Sequence, residues 1–224
     1  MNLGNIQISS ASPERFLSVR SGQVFTQPIK GTRPVSRDKA IDEATKETLL
    51  ESQKDKAENT MIVDLLRNDL SKVCVADSID VSELCALETF ASVHHLVSTI
   101  RGELEKDKTA IDLLKACFPG GSITGAPKIR AMEIIEELEP TRRGPYCGSI
   151  GYIGFDGAMD TNILIRTLVF EDNNVSLQSG GGIVVDSVPA DEYQETLDKA
   201  KAMLRSFEDY EDTPENEDDI SLAS

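Results

Sequence analysis

The stretch Phe118-Pro-Gly-Gly-Ser-Ile-Thr-Gly-Ala-Pro-Lys128 holds residues whose spacing suggests chemistry. Gly120, Gly121 and Gly125 precede a helical run from Ile129 to Glu139, in which Ala131, Met132, Ile135 and Leu138 recur at helical spacing. Pro127 falls where a first helical residue is expected, a position at which the missing N–H costs nothing. Pro140 ends the run. A glycine-rich loop feeding a helix N-terminus offers free backbone N–H groups and a positive dipole end, which together bind phosphate or carboxylate. No Gly-Lys-Ser/Thr follows, so the loop is not a nucleotide-binding Walker loop. A plain helix with a flexible entry loop has the same composition.

Three other features carry polar chemistry. Asp55 and Glu58 share a stripe with Ile62 and Leu65 on a long helical pattern, and Glu192 and Glu195 lie at i, i+3 near the chain's end. Most acids on helices are solvated surface. Two such pairs without obvious Lys partners at every position would make an oxygen-rich site for a hard cation such as Mg²⁺, if their helices converge. Arg166 alternates with Leu164, Leu168 and Phe170, a cation on an apolar strand face. A buried Arg needs either a protein acid or a ligand carboxylate. Gly180-Gly181-Gly182 follows a strand and permits either a close backbone approach or unusual dihedrals.

These residues need a scaffold, and the patterns describe a mixed one. Met1 to Gln27 reads as short strands, with Ile6 and Ile8 alternating and Val24-Phe25-Thr26 later. Lys39 to Asn68 predicts one long helix, free of Gly and Pro. A strand-and-turn region runs to about Leu87, His94 to Ile100 reads as strand, and Thr109 to Ala116 as a short helix. Gly148 to Phe155, Thr161 to Phe170 and Val175 to Ser179 form a meander with turns at Asp156-Gly157 and Asn173-Asn174. Pro189 opens a last helix to about Phe207.

Composition sets outer bounds. The 224 residues are 39% hydrophobic, enough for one substantial core that buries roughly 70% of the unfolded chain's surface. No apolar run reaches the ~18 residues of a membrane span, and no signal peptide is visible. The four cysteines, Cys74, Cys85, Cys117 and Cys147, form no Cys-x-x-Cys and read as reduced thiols of a cytosolic protein. Net charge is −16, of which eight charges lie between Glu208 and Asp219, leaving −8 elsewhere. Residues 208–224 are thus expected to be an acidic, disordered tail behind a body spanning 1–207. An acidic body argues against nucleic-acid binding. The abrupt start in sheet suggests a piece of a longer protein.

Several of these segments together resemble the chorismate-utilising enzymes. They are Pro28-Ile29-Lys30-Gly31-Thr32, Ala57-Glu58-Asn59-x-Met61-Ile62-Val63-Asp64-Leu65-x-Arg67-Asn68-Asp69, the Phe118–Lys128 loop, Arg142-Arg143-x-x-Tyr146-x-Gly148-x-x-Gly151-Tyr152, Asp160-x-x-x-x-Ile165-Arg166-Thr167, Gly180-Gly181-Gly182-Ile183-Val184-x-Asp186-Ser187 and Glu192-x-x-Glu195-Thr196. The resemblance covers about Ser12 to Phe207, with the motifs in the family's order. It implies an α+β fold, a two-sheet antiparallel sandwich flanked by helices, of which this chain would hold the C-terminal half.

The resemblance also implies roles. Glu58 and Glu195 would bind Mg²⁺, with Asp55 and Glu192 beside them. Gly31, Thr32, Tyr146, Arg166 and Gly180 to Gly182 would contact chorismate, with His95 and Ser122 lining the same pocket. His94 receives no role. Lys30 points to the branch that aminates chorismate at C4 on the way to para-aminobenzoate and folate, since anthranilate-forming members usually carry Ala there. Lys30 would attack C2, and Glu14 would protonate the departing hydroxyl. Ammonia would come from a separate glutamine amidotransferase subunit in a cytoplasmic heterodimer. Another chorismate enzyme, such as an anthranilate, isochorismate or salicylate synthase, is the first alternative. A fragment that only binds chorismate or its partner subunit is the second.

Overall fold

The computed structural model describes residues 1–91 and 93–208, so the acidic run from 209 onward lies outside the described residues. In chain order the elements are β1 (Ile6–Ser10), β2 (Arg15–Arg20), β3 (Gln23–Thr26), β4 (Ile29–Pro34), α1 (Lys39–Glu51), α2 (Gln53–Leu70), β5 (Asp80–Thr89) and β6 (Val93–Glu103). There follow α3 (Ala110–Cys117), a 3-10 turn (Gly121–Ile123), α4 (Lys128–Leu138), β7 (Ser149–Ile153), β8 (Met159–Ile163), β9 (Thr167–Glu171), β10 (Asn174–Leu177) and α5 (Pro189–Glu208). The chain divides into two compact units: Ala11–Ile165, and Met1–Ser10 together with the chain from Arg166 onward. Among the described residues, antiparallel sheets with five α-helices make this the expected α+β class. Among the described residues no helix is long and apolar enough to cross a membrane.

The larger unit is built on a seven-stranded sheet in the order β4-β6-β3-β2-β8-β7, with β5 on β6 as well. Every pairing is antiparallel. Between β2 and β3, Ser21 and Gly22 both take positive φ, the two-residue turn whose twist suits a hairpin. On α2, Ile62, Val63, Leu66 and Leu70 form one buried stripe and join Phe16, Leu17, Val19, Val24, Ile100, Met159 and Ile163 in the core. The strand β7 ends the sheet, and Tyr152, Ile153 and, just beyond, Phe155 are exposed.

The smaller unit has a three-stranded sheet in the order β1-β9-β10, followed by α5. Thr167 Oγ1 donates to Ser10 Oγ at 2.9 Å, tying β9 to the end of β1. The turn between β9 and β10 is Asp172-Asn173, one residue before the expected position, with Asp172 at φ 53° and Asn174 already paired with Glu171.

Three expectations need correction. The single helix from Lys39 to Asn68 is two helices. Ser52, at ψ 102°, ends α1, and its hydroxyl accepts from Asp55 N at 3.2 Å as the N-cap of α2. The expected strand Thr161–Phe170 is also two elements, because Arg166 takes φ 51° and breaks the extended run between β8 and β9. Arg166 is therefore not a mid-strand residue alternating with Leu164 and Leu168. Finally, Pro127 is the residue before α4 and not its first, with ψ 136°. No residue of α4 is buried, so the stripe of Met132 and Leu138 faces solvent.

Candidate active site

Lys30, Gly31 and Thr32 sit on β4 at a break in register with β6, where Lys30 opposes Leu96 and Thr32 opposes His95. Gly31 is the extra residue, and its φ of 70° suits glycine. A Cβ there would lie 2.8 Å from Leu49 Cδ1 and 3.0 Å from Asp55 Cγ, so the bare backbone lets α2 bring its first turn against β4. Thr32 Oγ1 and His95 Nδ1 share a hydrogen bond of 2.9 Å, and the Phe90 ring lies 5.5 Å from the His95 ring.

The Lys30 ammonium reaches the glycine loop and α2. Its Nζ donates to Ser122 O at 3.3 Å in the glycine loop and lies 3.9 Å from Glu58 Oε2, with both side chains largely buried. Asp55, one turn before Glu58 on α2, is 3.5 Å from Arg33 Nη2. Lys30 of β4, Asp55 and Glu58 of α2 and Ser122 of the glycine loop thus meet in the larger unit, beside Thr32 and His95.

The glycine loop is held from a second side. Arg143 Nη1 donates to Ile123 O at 2.7 Å, while its other nitrogens bond both oxygens of Glu139. Hydrogen bonding to Glu139 strengthens the proton's hold on this guanidinium. The same guanidinium lies 5.9 Å from the centre of the Tyr146 ring. Burial is the main cause that pushes the Tyr146 phenol above its usual range. Burial also pushes the neighbouring Cys147 thiol up to about 11, with the Glu14 charge as a smaller contribution. Glu14 is itself buried, its carbonyl accepting from Ile163 N at 3.0 Å.

In the smaller unit the expected residues gather on the first turns of α5. Glu192 is buried and accepts from Ser187 Oγ at 2.6 Å. A Cβ on Gly181 would lie 2.9 Å from Glu192 Oε2, so glycine is what lets the Gly180–Gly182 segment lie against this carboxylate. Glu195 Oε1 is 2.5 Å from Lys199 Nζ, which also donates to Gly180 O at 3.1 Å. Arg166 opens this unit in its left-handed conformation.

The four expected metal ligands divide evenly: Asp55 and Glu58 in the larger unit, Glu192 and Glu195 in the smaller. Among the described residues no group of three or more His, Cys, Asp or Glu side chains gathers as a metal-holding cluster. The donor set consists only of carboxylate oxygens, the chemistry that suits Mg²⁺. Basic side chains nonetheless stand beside three of these acids: Lys30 by Glu58, Arg33 by Asp55 and Lys199 by Glu195. Lys199 was legible in principle as the i+4 partner of Glu195. Arg33 left no local signal, whereas Arg143 stood in the motif that opens at Arg142 and at i+4 from Glu139. His94 is fully buried, with Nε2 2.9 Å from Asp42 Oδ1 and Nδ1 2.9 Å from Thr89 Oγ1, a structural position apart from these residues.

The profile of the chorismate binding enzyme family matches residues 1–205, and the chain belongs to that family. It is 54% identical over 201 residues to aminodeoxychorismate synthase component 1 of both Salmonella typhimurium and Escherichia coli, covering 90% of this chain and 44% of each relative. It is 50% identical over 216 residues to anthranilate synthase component 1 of Synechocystis, covering 92% of this chain and 42% of the relative. Among solved structures, anthranilate synthase component I from Streptococcus pneumoniae superimposes with a TM-score of 0.81 at 44% identity, over 90% of this chain and 44% of that one. The menaquinone-specific isochorismate synthase from Escherichia coli gives 0.79 at 28% identity, over 91% and 46%. The chain therefore spans less than half the length of each of these relatives.

Proposed function

We propose that this chain is part of an enzyme that aminates chorismate at C4, giving 4-amino-4-deoxychorismate for para-aminobenzoate and folate synthesis. The observation that carries this reading is Lys30, whose amine lies between Ser122 O of the glycine loop and the Glu58 carboxylate. An amine there can act as a nucleophile once it is a free base. In the proposed reaction Lys30 Nζ bonds to C2 of the ring, two ring double bonds shift, and the C4–O bond breaks. Glu14, a buried residue, gives its proton to the departing hydroxyl, which leaves as water. Ammonia then bonds to C4 while the double bonds shift back and Lys30 is expelled from C2 as a free amine. Arg166 and the peptide groups of Gly180–Gly182, Gly31 and the Phe118–Lys128 loop bind the carboxylates of chorismate, and Thr32, His95, Ser122 and Tyr146 shape the pocket. Glu58 and Glu195 would hold Mg²⁺, with Asp55 and Glu192 beside them, and a bound ion would supply Lewis acidity toward the ring carboxylate.

Ammonia comes from a separate glutamine amidotransferase subunit, a reading supported by relatives named as component 1 of a synthase. Four free cysteines suit a reducing cytoplasm. The 50% identity to an anthranilate synthase component favours a second reading, formation of anthranilate, against which Lys30 stands. Mass spectrometry of the full-length enzyme with chorismate, Mg²⁺ and ammonium separates the readings by product. With ammonia withheld, the peptide containing Lys30 is expected to gain the mass of dehydrated chorismate. No adduct, together with an active Lys30→Arg enzyme, would refute the nucleophile. Anthranilate as sole product would favour the second reading, and absence of any product would favour a chain that only binds chorismate or its partner.

A further inference from the structure

Lys128 closes the glycine-loop motif, yet the proposed reaction gives it nothing to do. It is the first residue of α4, and its side chain turns back beneath the loop. Its Nζ lies 2.5 Å from Asp69 Oδ2 and donates to Cys117 O at 2.7 Å. Cys117 is the last residue of α3, so one ammonium carries one end of the loop and bonds the carbonyl at the other. The pair is sheltered: the Lys128 side chain is 14% exposed and that of Asp69 2%. Asp69 lies at the far end of α2, the helix that bears Asp55 and Glu58 near its start. Over the top of the loop, Lys30 reaches Ser122 O and Arg143 reaches Ile123 O. Between base and tip, a Cβ on Gly121 would lie 2.8 Å from Leu65 Cδ2 of α2, and one on Gly120 2.7 Å from Ile163 Cδ1 of β8. The loop is thus fastened at its base by Lys128 and laid along the same helix that positions the acids.

We propose that Lys128 is a positioning residue. By joining Cys117 O to Asp69, it closes the glycine loop at its base and seats it on α2, so that its peptide groups meet an anionic substrate already ordered. A loop open at its base must be ordered by each substrate molecule it binds, at a cost in affinity. Because ordering is needed in the ground state and transition state alike, the loss falls on binding more than on the rate of the bound complex. The substrate part of this inference rests on the chorismate reading; the clamp itself does not.

Removing Lys128 alone would strand the buried Asp69 carboxylate and endanger folding, so the deciding variant replaces both members by apolar groups, Lys128→Met with Asp69→Leu, which is often tolerated. Amide hydrogen exchange of the 119–126 peptide is read against peptides from β2 and β8. The proposal expects exchange at least ~10-fold faster in the loop and unchanged in the strands. It also expects a chorismate Kd raised by about 10-fold, with kcat within ~3-fold of the parent. Lys72 supplies the control: its exposed Nζ lies 2.8 Å from Asp69 Oδ1 without bonding Cys117 O, so Lys72→Met should leave loop exchange as it was. Unchanged exchange in the double variant overturns the clamp, as does equal loosening by Lys72→Met. Faster exchange with unaltered Kd overturns the positioning role. If the parent protein fails to bind chorismate at all, the functional reading falls, and loop exchange alone decides the clamp.

Discussion

Arg166 holds a backbone conformation that its own side chain opposes. A non-glycine residue at φ 51° costs about 1–2 kcal/mol, and such strain tends to gather where a side chain is needed for something other than stability. Replacing Arg166 by Gly relieves the backbone, while replacing it by Ala does not, and both remove the guanidinium. Arg166→Gly is therefore expected to unfold about 1 kcal/mol later than Arg166→Ala in urea, the reverse of the usual order for these two residues. Equal stability of the two variants would show that no strain is held there. If the guanidinium meets a substrate carboxylate, chorismate affinity falls in both and is not restored by Arg166→Lys, which lacks the planar two-point contact.

Between α1 and α2 the chain turns on one hydroxyl. Ser52→Ala removes the acceptor for Asp55 N and is expected to cost about 1 kcal/mol in chemical denaturation, while Ser52→Asp, another good N-cap, should retain most of that stability. This break shows what the sequence could and could not reveal. The run from Lys39 to Asn68 has no Gly or Pro, and the polar stretch Glu51 to Lys56 holds no helix breaker, so composition alone reads one helix. The hairpins were readable because their turn residues sit next to one another, as at Ser21-Gly22 in hindsight and Asp156-Gly157 in advance. The acid pairs and glycine clusters were legible for the same reason: their spacing is local. Partners distant in sequence were not, because Arg33 meets Asp55 and Lys128 meets Asp69 only after strands and helices have packed. The division of the Thr161–Phe170 run between two sheets also escaped, since a left-handed Arg has no signature in composition.

Across the whole molecule, burial has consequences for its response to alkali. It pushes the Cys117 thiol up to about 12 and those of Cys74 and Cys147 to about 11, while an unfolded chain's thiols ionise near ~8.5. A folded-state value raised in this way gives stability that is complete below the unfolded value and lost as pH rises toward the folded one. Melting temperature under reducing conditions is therefore expected to hold between pH 7 and 8 and to fall from about pH 9 to 11, less steeply in Cys117→Ala. A pH-independent melt over that span would contradict it. The strand β7 carries a different consequence, for colloidal behaviour. An uncovered sheet border with Tyr152 and Ile153 exposed is a template on which a second copy can build, and self-repulsion from a net charge of −16 opposes that approach. Salt weakens only the repulsion: at 1 M the Debye length shrinks to about 3 Å, and the apolar border remains. Light scattering by this chain should accordingly rise with sodium chloride instead of falling, and Ile153→Lys, which places a charge on the border strand, should keep it flat.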